Sequence, residues 1–100
     1  MVSANHQIRE FIEASIWSAG SASLVEAMAD FADSHHAIPC LSQFNRALAE
    51  FAAPLVLEKS THTLKIGDFG AKPVALTSAE FMSVYDQYAA DLRMESQAFA

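Results

Sequence analysis

The chain has 100 residues, 52% of them hydrophobic, with a formal net charge of −6. That length makes one domain, and that apolar content is enough for a compact core rather than disorder. The acidic balance argues against duplex binding as the primary role, because phosphate contacts rest on Lys and Arg, and against anionic membrane surfaces. Cys40 is the single cysteine, so an internal disulfide is excluded and a reducing compartment is expected. The first residues lack a basic region followed by an apolar run. Nor does any apolar stretch approach the roughly 20 residues that span a bilayer. The expectation is a cytoplasmic protein with no membrane partner and no cofactor.

The spacing predicts a first helix from about Asn5 to Ser18, with Ile8, Phe11, Ile12, Ile16 and Ala19 on its core side. Gly20 is a natural stop. Trp17 falls roughly opposite Ile8, beside Glu10 and Glu13. Two readings are open for it: an exposed aromatic anchor for a partner, or packing under the following loop.

Ser23-Leu24-Val25-Glu26 is a capping-box pattern that starts a second helix. Leu24, Ala27, Met28, Phe31 and His35 make its apolar stripe. Glu26, Asp30 and Asp33 lie four and three apart on the far side. That acidic stripe suits a basic protein surface; the plain alternative is a solvated face.

Pro39 disfavours helical geometry at Ile38 and separates a third helix, predicted over about Leu41 to Ala53. Leu41, Phe44, Leu48 and Phe51 form its stripe, Gln43, Arg46 and Glu50 its polar face, and Ser42 is a candidate cap for a slightly later start. After Pro54 the period changes to alternation. Leu55 to Lys59 and His62 to Ile66 read as two strands around a Ser60-Thr61 turn. Gly67 to Gly70 is a turn, and Val74-Ala75-Leu76 a short extended piece. Thr77-Ser78-Ala79-Glu80 is a second capping box. It opens a fourth helix with a stripe of Phe81, Met82, Tyr85, Tyr88, Ala89 and Leu92. Glu80, Asp86, Asp91 and Arg93 are placed in water, and the end from Met94 frays.

Charge is unevenly placed. Arg9 stands alone against Glu10, Glu13, Glu26, Asp30 and Asp33, and Arg93 alone against the acids of the last helix. Only the middle segment, with Arg46, Lys59, Lys65 and Lys72, is not acidic.

Catalytic and metal chemistry finds little support. His35, His36 and Cys40 are close in sequence and His62 is a possible fourth ligand, but the spacing matches no standard zinc pattern. The alternative is a packed His35, an exposed His36 and a half-buried Cys40. A Cys–His nucleophile pair is equally nonspecific. Asp68-Phe69-Gly70 spells a kinase motif without the Gly-rich loop, strand Lys and catalytic-loop Asp a kinase needs.

Three helices followed by a hairpin is the order of a winged-helix domain. The match is carried by Phe11-Ile12-Glu13, Ser23 to Met28, Phe31, the turn at Ile38-Pro39, and Leu41-Ser42-Gln43-Phe44-Asn45-Arg46-Ala47-Leu48. Over about residues 8–68 the chain resembles the winged-helix region at the C-terminal end of phage and poxvirus-type primase-helicases, with Asn45 where that family often has Gly. The resemblance implies an α+β, winged-helix-like fold with a fourth helix packed back on it; an all-α bundle is the alternative if Pro54 only kinks the third helix. It also implies that Gln43, Asn45 and Arg46 face DNA and that Lys59 and Lys65 touch phosphate. No Walker motif is present, so no catalytic activity carries over.

Two functions follow as expectations. The first is a small, acidic, non-enzymatic protein-interaction module, an inhibitor or adaptor of phage or plasmid type. It would bind a nucleic-acid-handling complex through Glu26, Asp30 and Asp33, with Trp17 as an aromatic contact and a homodimer as an option. The second is a winged-helix DNA binder using the third helix and the hairpin.

Overall fold

A computed structural model describes residues 4–51, 54–67 and 74–98. The fold is α+β. Helix α1 (Ala4–Ala19) leads into strand β1 (Ser21–Ser23), then helices α2 (Leu24–His35) and α3 (Leu41–Ala49). A hairpin of β2 (Leu55–Glu58) and β3 (Thr63–Ile66) follows, and then helix α4 (Ser78–Ala98). The sheet is antiparallel in the order β1-β3-β2. This order is compatible with a winged-helix-like arrangement, and the sheet rules out the all-α alternative.

Strand β1 was not expected from the sequence. It places Ala22 opposite Leu64, which in turn lies opposite Leu57. That row is the inward face of the sheet, and Ala22 and Leu64 are buried. Ser21, Lys65 and Val56 form an outward row. Ile66 shares the inward face with Leu64 yet is half exposed, because β1 ends opposite Lys65 and offers no neighbour beyond it.

The core draws on every element. Ile8, Ile12 and Ile16 come from α1, Leu24, Ala27, Met28 and Phe31 from α2, and Phe44, Ala47 and Leu48 from α3. Leu55, Leu64 and Val84 add the hairpin and α4. The expected stripes on the first three helices therefore face inward, except at their ends, where Ala19 and His35 are exposed.

The ends of the helices have local causes. Gly20 adopts a positive φ of 81°, which costs glycine little, and its N–H donates to the Ile16 carbonyl. The Ser23 hydroxyl accepts the Glu26 N–H at the start of α2. Helix α3 starts at Leu41, so Ser42 is not its cap. Instead the Gln43 side chain reaches back and accepts the Cys40 N–H at 2.7 Å. The helix stops at Ala49, short of the expected Ala53 (itself outside the described residues). Glu50 caps it and lies four residues before Pro54. A proline ring clashes with the carbonyl four residues upstream and donates no hydrogen bond to it. The proline therefore ends the helix earlier than its stripe suggests.

Helix α4 opens on a complete capping box: the Thr77 hydroxyl accepts the Glu80 N–H, and a Glu80 carboxylate oxygen accepts the Thr77 N–H. Its inward face is rotated from the expected stripe. Val84 is the fully buried residue, flanked by half-buried Phe81 and Tyr88, while Met82, Tyr85 and Leu92 are exposed. Phe81 meets Phe44 edge to face at 6.0 Å between ring centroids, a favourable aromatic geometry. Residues 74–76, expected as a short extended piece, belong to no helix or strand. Asp68 to Gly70 lie outside the described residues.

Candidate functional site: an acidic groove between α2 and α4

Helices α2 and α4 pack side by side and leave a groove of about 310 Å³ between them. Val25, Ala29 and Asp33 line one wall at four-residue intervals, so successive turns of α2 present them to the same side. Tyr88 and Leu92 form the other wall, again four apart. Glu26 and Asp33 from α2 and Asp91 from α4 stand at the rim. The floor is apolar, the rim carries three carboxylates, and among the described residues no basic side chain lines the groove.

The three acids of the expected stripe thus divide. Glu26 and Asp33 are exposed at the groove. Asp30 is partly buried and turns toward α1, where its carboxylate accepts from the Gln7 amide at 3.3 Å. The Gln7 carbonyl oxygen lies 2.7 Å from His35 Nε2, and the His35 ring stacks on Phe31 at 4.3 Å. One glutamine thus ties both ends of this stretch of α2 to α1. Asp91, Tyr88 and Leu92 are site residues that sequence reasoning missed. Helical spacing placed Asp91 in water, but no local signal says that α4 lies against α2.

Trp17 is 75% exposed, which corrects the reading that it packs under the next loop. It borders an open depression with Arg9, Glu10 and Glu13. This surface shares no lining residue with the α2–α4 groove.

The residues implied for DNA are placed differently from a basic face. Asn45 is part-buried and spans to residue 76: its amide nitrogen donates to the Leu76 carbonyl at 3.1 Å, and its oxygen accepts the Leu76 N–H at 2.7 Å. Gln43 is occupied by the α3 cap. Lys65 pairs with Glu58 at 2.8 Å and Lys59 with Glu80 at 3.8 Å. Arg46 is exposed and has no carboxylate within ion-pair distance among the described residues.

His35, His36, Cys40 and His62 do not converge: among the described residues no three His, Cys, Asp or Glu side chains are placed to hold a metal. Cys40 is exposed rather than half-buried. Its thiol lies 3.1 Å from the Ser42 hydroxyl, which with the Gln43 N–H holds its pKa below the ordinary value. His36 caps α2 with a left-handed φ of 54°. His62, also left-handed, supplies a carbonyl to the Leu24 N–H at 2.9 Å. Both histidines thus sit at backbone turning points. Among the described residues, no helix is long and apolar enough to cross a membrane.

Comparison with family models, curated proteins and solved structures finds no match to this chain.

Proposed function

We propose that the protein is a non-enzymatic interaction module whose α2–α4 groove receives a basic, amphipathic segment of a partner protein. The observation that carries the reading is the groove itself: Glu26, Asp33 and Asp91 around an apolar floor of Val25, Ala29, Tyr88 and Leu92. A partner apolar side chain gains by leaving water on that floor. Lys or Arg beside it meets carboxylates that have no cation in the groove among the described residues. Such complementarity steers encounter and excludes acidic competitors. Basic surfaces of this kind belong to proteins that handle nucleic acid, so an inhibitor or adaptor of such a complex is the role that fits.

The alternative, duplex binding by α3 and the hairpin, has less behind it. Two of its three cations are already paired with carboxylates, and Asn45 is taken up by the backbone of Leu76.

Two experiments separate the readings. Affinity capture with the wild-type chain and with an Asp33→Lys/Asp91→Lys variant should retain a basic partner only on the wild type. An unchanged partner list would remove the groove from consideration. Titration of a labelled duplex at low salt should show no binding. Saturable binding that is lost in Arg46→Ala would instead favour the DNA reading, with a salt slope reporting the phosphates contacted.

A further inference from the structure

The turn of the hairpin and the first turns of α4 enclose a second cavity, of about 190 Å³, which shares no lining residue with the acidic groove. Leu24, Leu76 and Val84, all buried, form its apolar walls. Three contacts hold those walls in place. The Leu24 N–H donates to the His62 carbonyl at 2.9 Å and fixes the hairpin turn to the start of α2. Lys59 reaches across to Glu80 of α4 at 3.8 Å. The Asn45 amide holds the backbone of Leu76 from the side of α3. The turn between the two strands reads Lys59-Ser60-Thr61-His62. It therefore spans from α2 to α4 without a large apolar side chain to fill the space beneath it. Wall atoms facing such a space lack partners for dispersion contacts. A pocket framed in this way is largely preformed.

Size and polarity together define what fits. A cavity of roughly 150 Å³ holds one benzene ring, so this one takes a single ring with a small substituent. Lys59 and Glu80 oppose each other in the lining. An anion drawn to Lys59 meets Glu80, and a cation drawn to Glu80 meets Lys59. The net charge of −6 tells further against an anion. The His62 imidazole and the Ser83 hydroxyl also line the cavity, and neither has a side-chain hydrogen bond among the described residues. A hydroxyl both donates and accepts, and so does a neutral imidazole. The head group that matches them does both without carrying charge. We infer that this cavity binds a ring-sized alcohol or phenol. Its apolar body lies against Leu24, Leu76 and Val84, and its hydroxyl bonds to Ser83 and His62. A ligand this small has a dissociation constant on the order of 1 mM.

Titration of the full chain with p-cresol to about 20 mM, followed by amide proton–nitrogen correlation spectra, tests this at the expected affinity. The amides of Leu24, His62, Leu76 and Ser83 should shift and saturate together. Benzoate and benzylammonium, of similar size but charged, should bind at least tenfold more weakly. Ser83→Ala should weaken p-cresol about threefold. Ala79→Phe places a ring in the cavity from an exposed position on its lining and should abolish the saturable shifts. Circular dichroism verifies that both variants are folded. Absence of saturable shifts in the wild type would overturn the inference. So would p-cresol binding that survives Ala79→Phe or is unchanged in Ser83→Ala, or benzoate or benzylammonium binding as tightly as p-cresol.

Discussion

At the scale of single residues, Asn45 shows how a polar face can mislead. The winged-helix resemblance groups it with Gln43 and Arg46, although on a helical wheel it lies about 60° from Leu48 and about 160° from Gln43, at the edge of the apolar stripe. Its amide satisfies both the N–H and the carbonyl of Leu76, whose side chain is buried. Residues 74–77 form no ladder, so these bonds substitute for a strand partner. Asn45→Ala leaves two partly buried backbone groups unmatched, which costs about 1–3 kcal/mol. In a chain of this size that lowers Tm by roughly 5–15 °C. Thermal denaturation checks it, and a Tm unchanged within about 1 °C would mean that Asn45 is free for an external contact. Trp17 is the opposite case: with most of its surface in water, Trp17→Ala should leave Tm within about 2 °C of wild type, since substitutions away from packed features are usually small. A larger loss would show that the indole covers α1.

At the scale of elements, legibility followed periodicity. The first three helices were readable because each has one apolar stripe, and Ile8, Phe31 and Phe44 duly face the core. The hairpin was readable from the change of period after Pro54. Strand β1 was not: Ser21-Ala22-Ser23 is three small residues with no pattern of their own, and their pairing exists only because β3 is there to receive them. Helix α4 misled for a different reason. It carries two apolar stripes, and only the packing of Val84 decides which one turns inward. The same ambiguity hid the groove, since Tyr88, Asp91 and Leu92 become a site only once α4 lies on α2.

The caps of these elements make separate predictions. Ser23→Ala removes the hydroxyl that accepts the Glu26 N–H and should cost about 1 kcal/mol, read as a lower urea midpoint with an unchanged slope. At the start of α4, the Thr77 N–H bonded to Glu80, with Lys59 nearby, holds the Glu80 carboxyl below its ordinary value of 4.5. A carboxyl depressed in the folded state stabilises above its unfolded pKa, and this contribution is lost as pH falls through the lower folded value. Helical ellipticity should therefore hold down to about pH 4.5 and begin to fall below it. Glu80→Gln keeps an acceptor for the Thr77 N–H but does not titrate, so it should flatten the acid limb. An acid limb identical to wild type would place the titration elsewhere.

At the scale of the whole molecule, the surplus of acid has two consequences of opposite sign. The chain has 12 Asp and Glu against 6 Lys and Arg. Two of those lysines are paired with Glu58 and Glu80, at exposed positions where ion pairs contribute little. Repulsion among the remaining carboxylates is therefore the larger electrostatic effect on folding. It is concentrated where Glu26, Asp33 and Asp91 share the groove. Salt screens repulsion and attraction alike, with a Debye length near 30 Å at 0.01 M and about 8 Å at 0.15 M. Raising salt across that range should stabilise the free protein by on the order of 0.5 kcal/mol, a Tm increase of about 2–4 °C. The same change should weaken capture of a basic partner, because the attraction that steers it is screened as well. Asp33→Lys/Asp91→Lys separates the two effects. Removing clustered repulsion should raise Tm at low salt and reduce its dependence on salt, while partner capture is lost. A Tm that falls with salt in the wild type would show instead that the exposed pairs outweigh the repulsion. The groove would then carry no stored electrostatic cost for a basic segment to relieve.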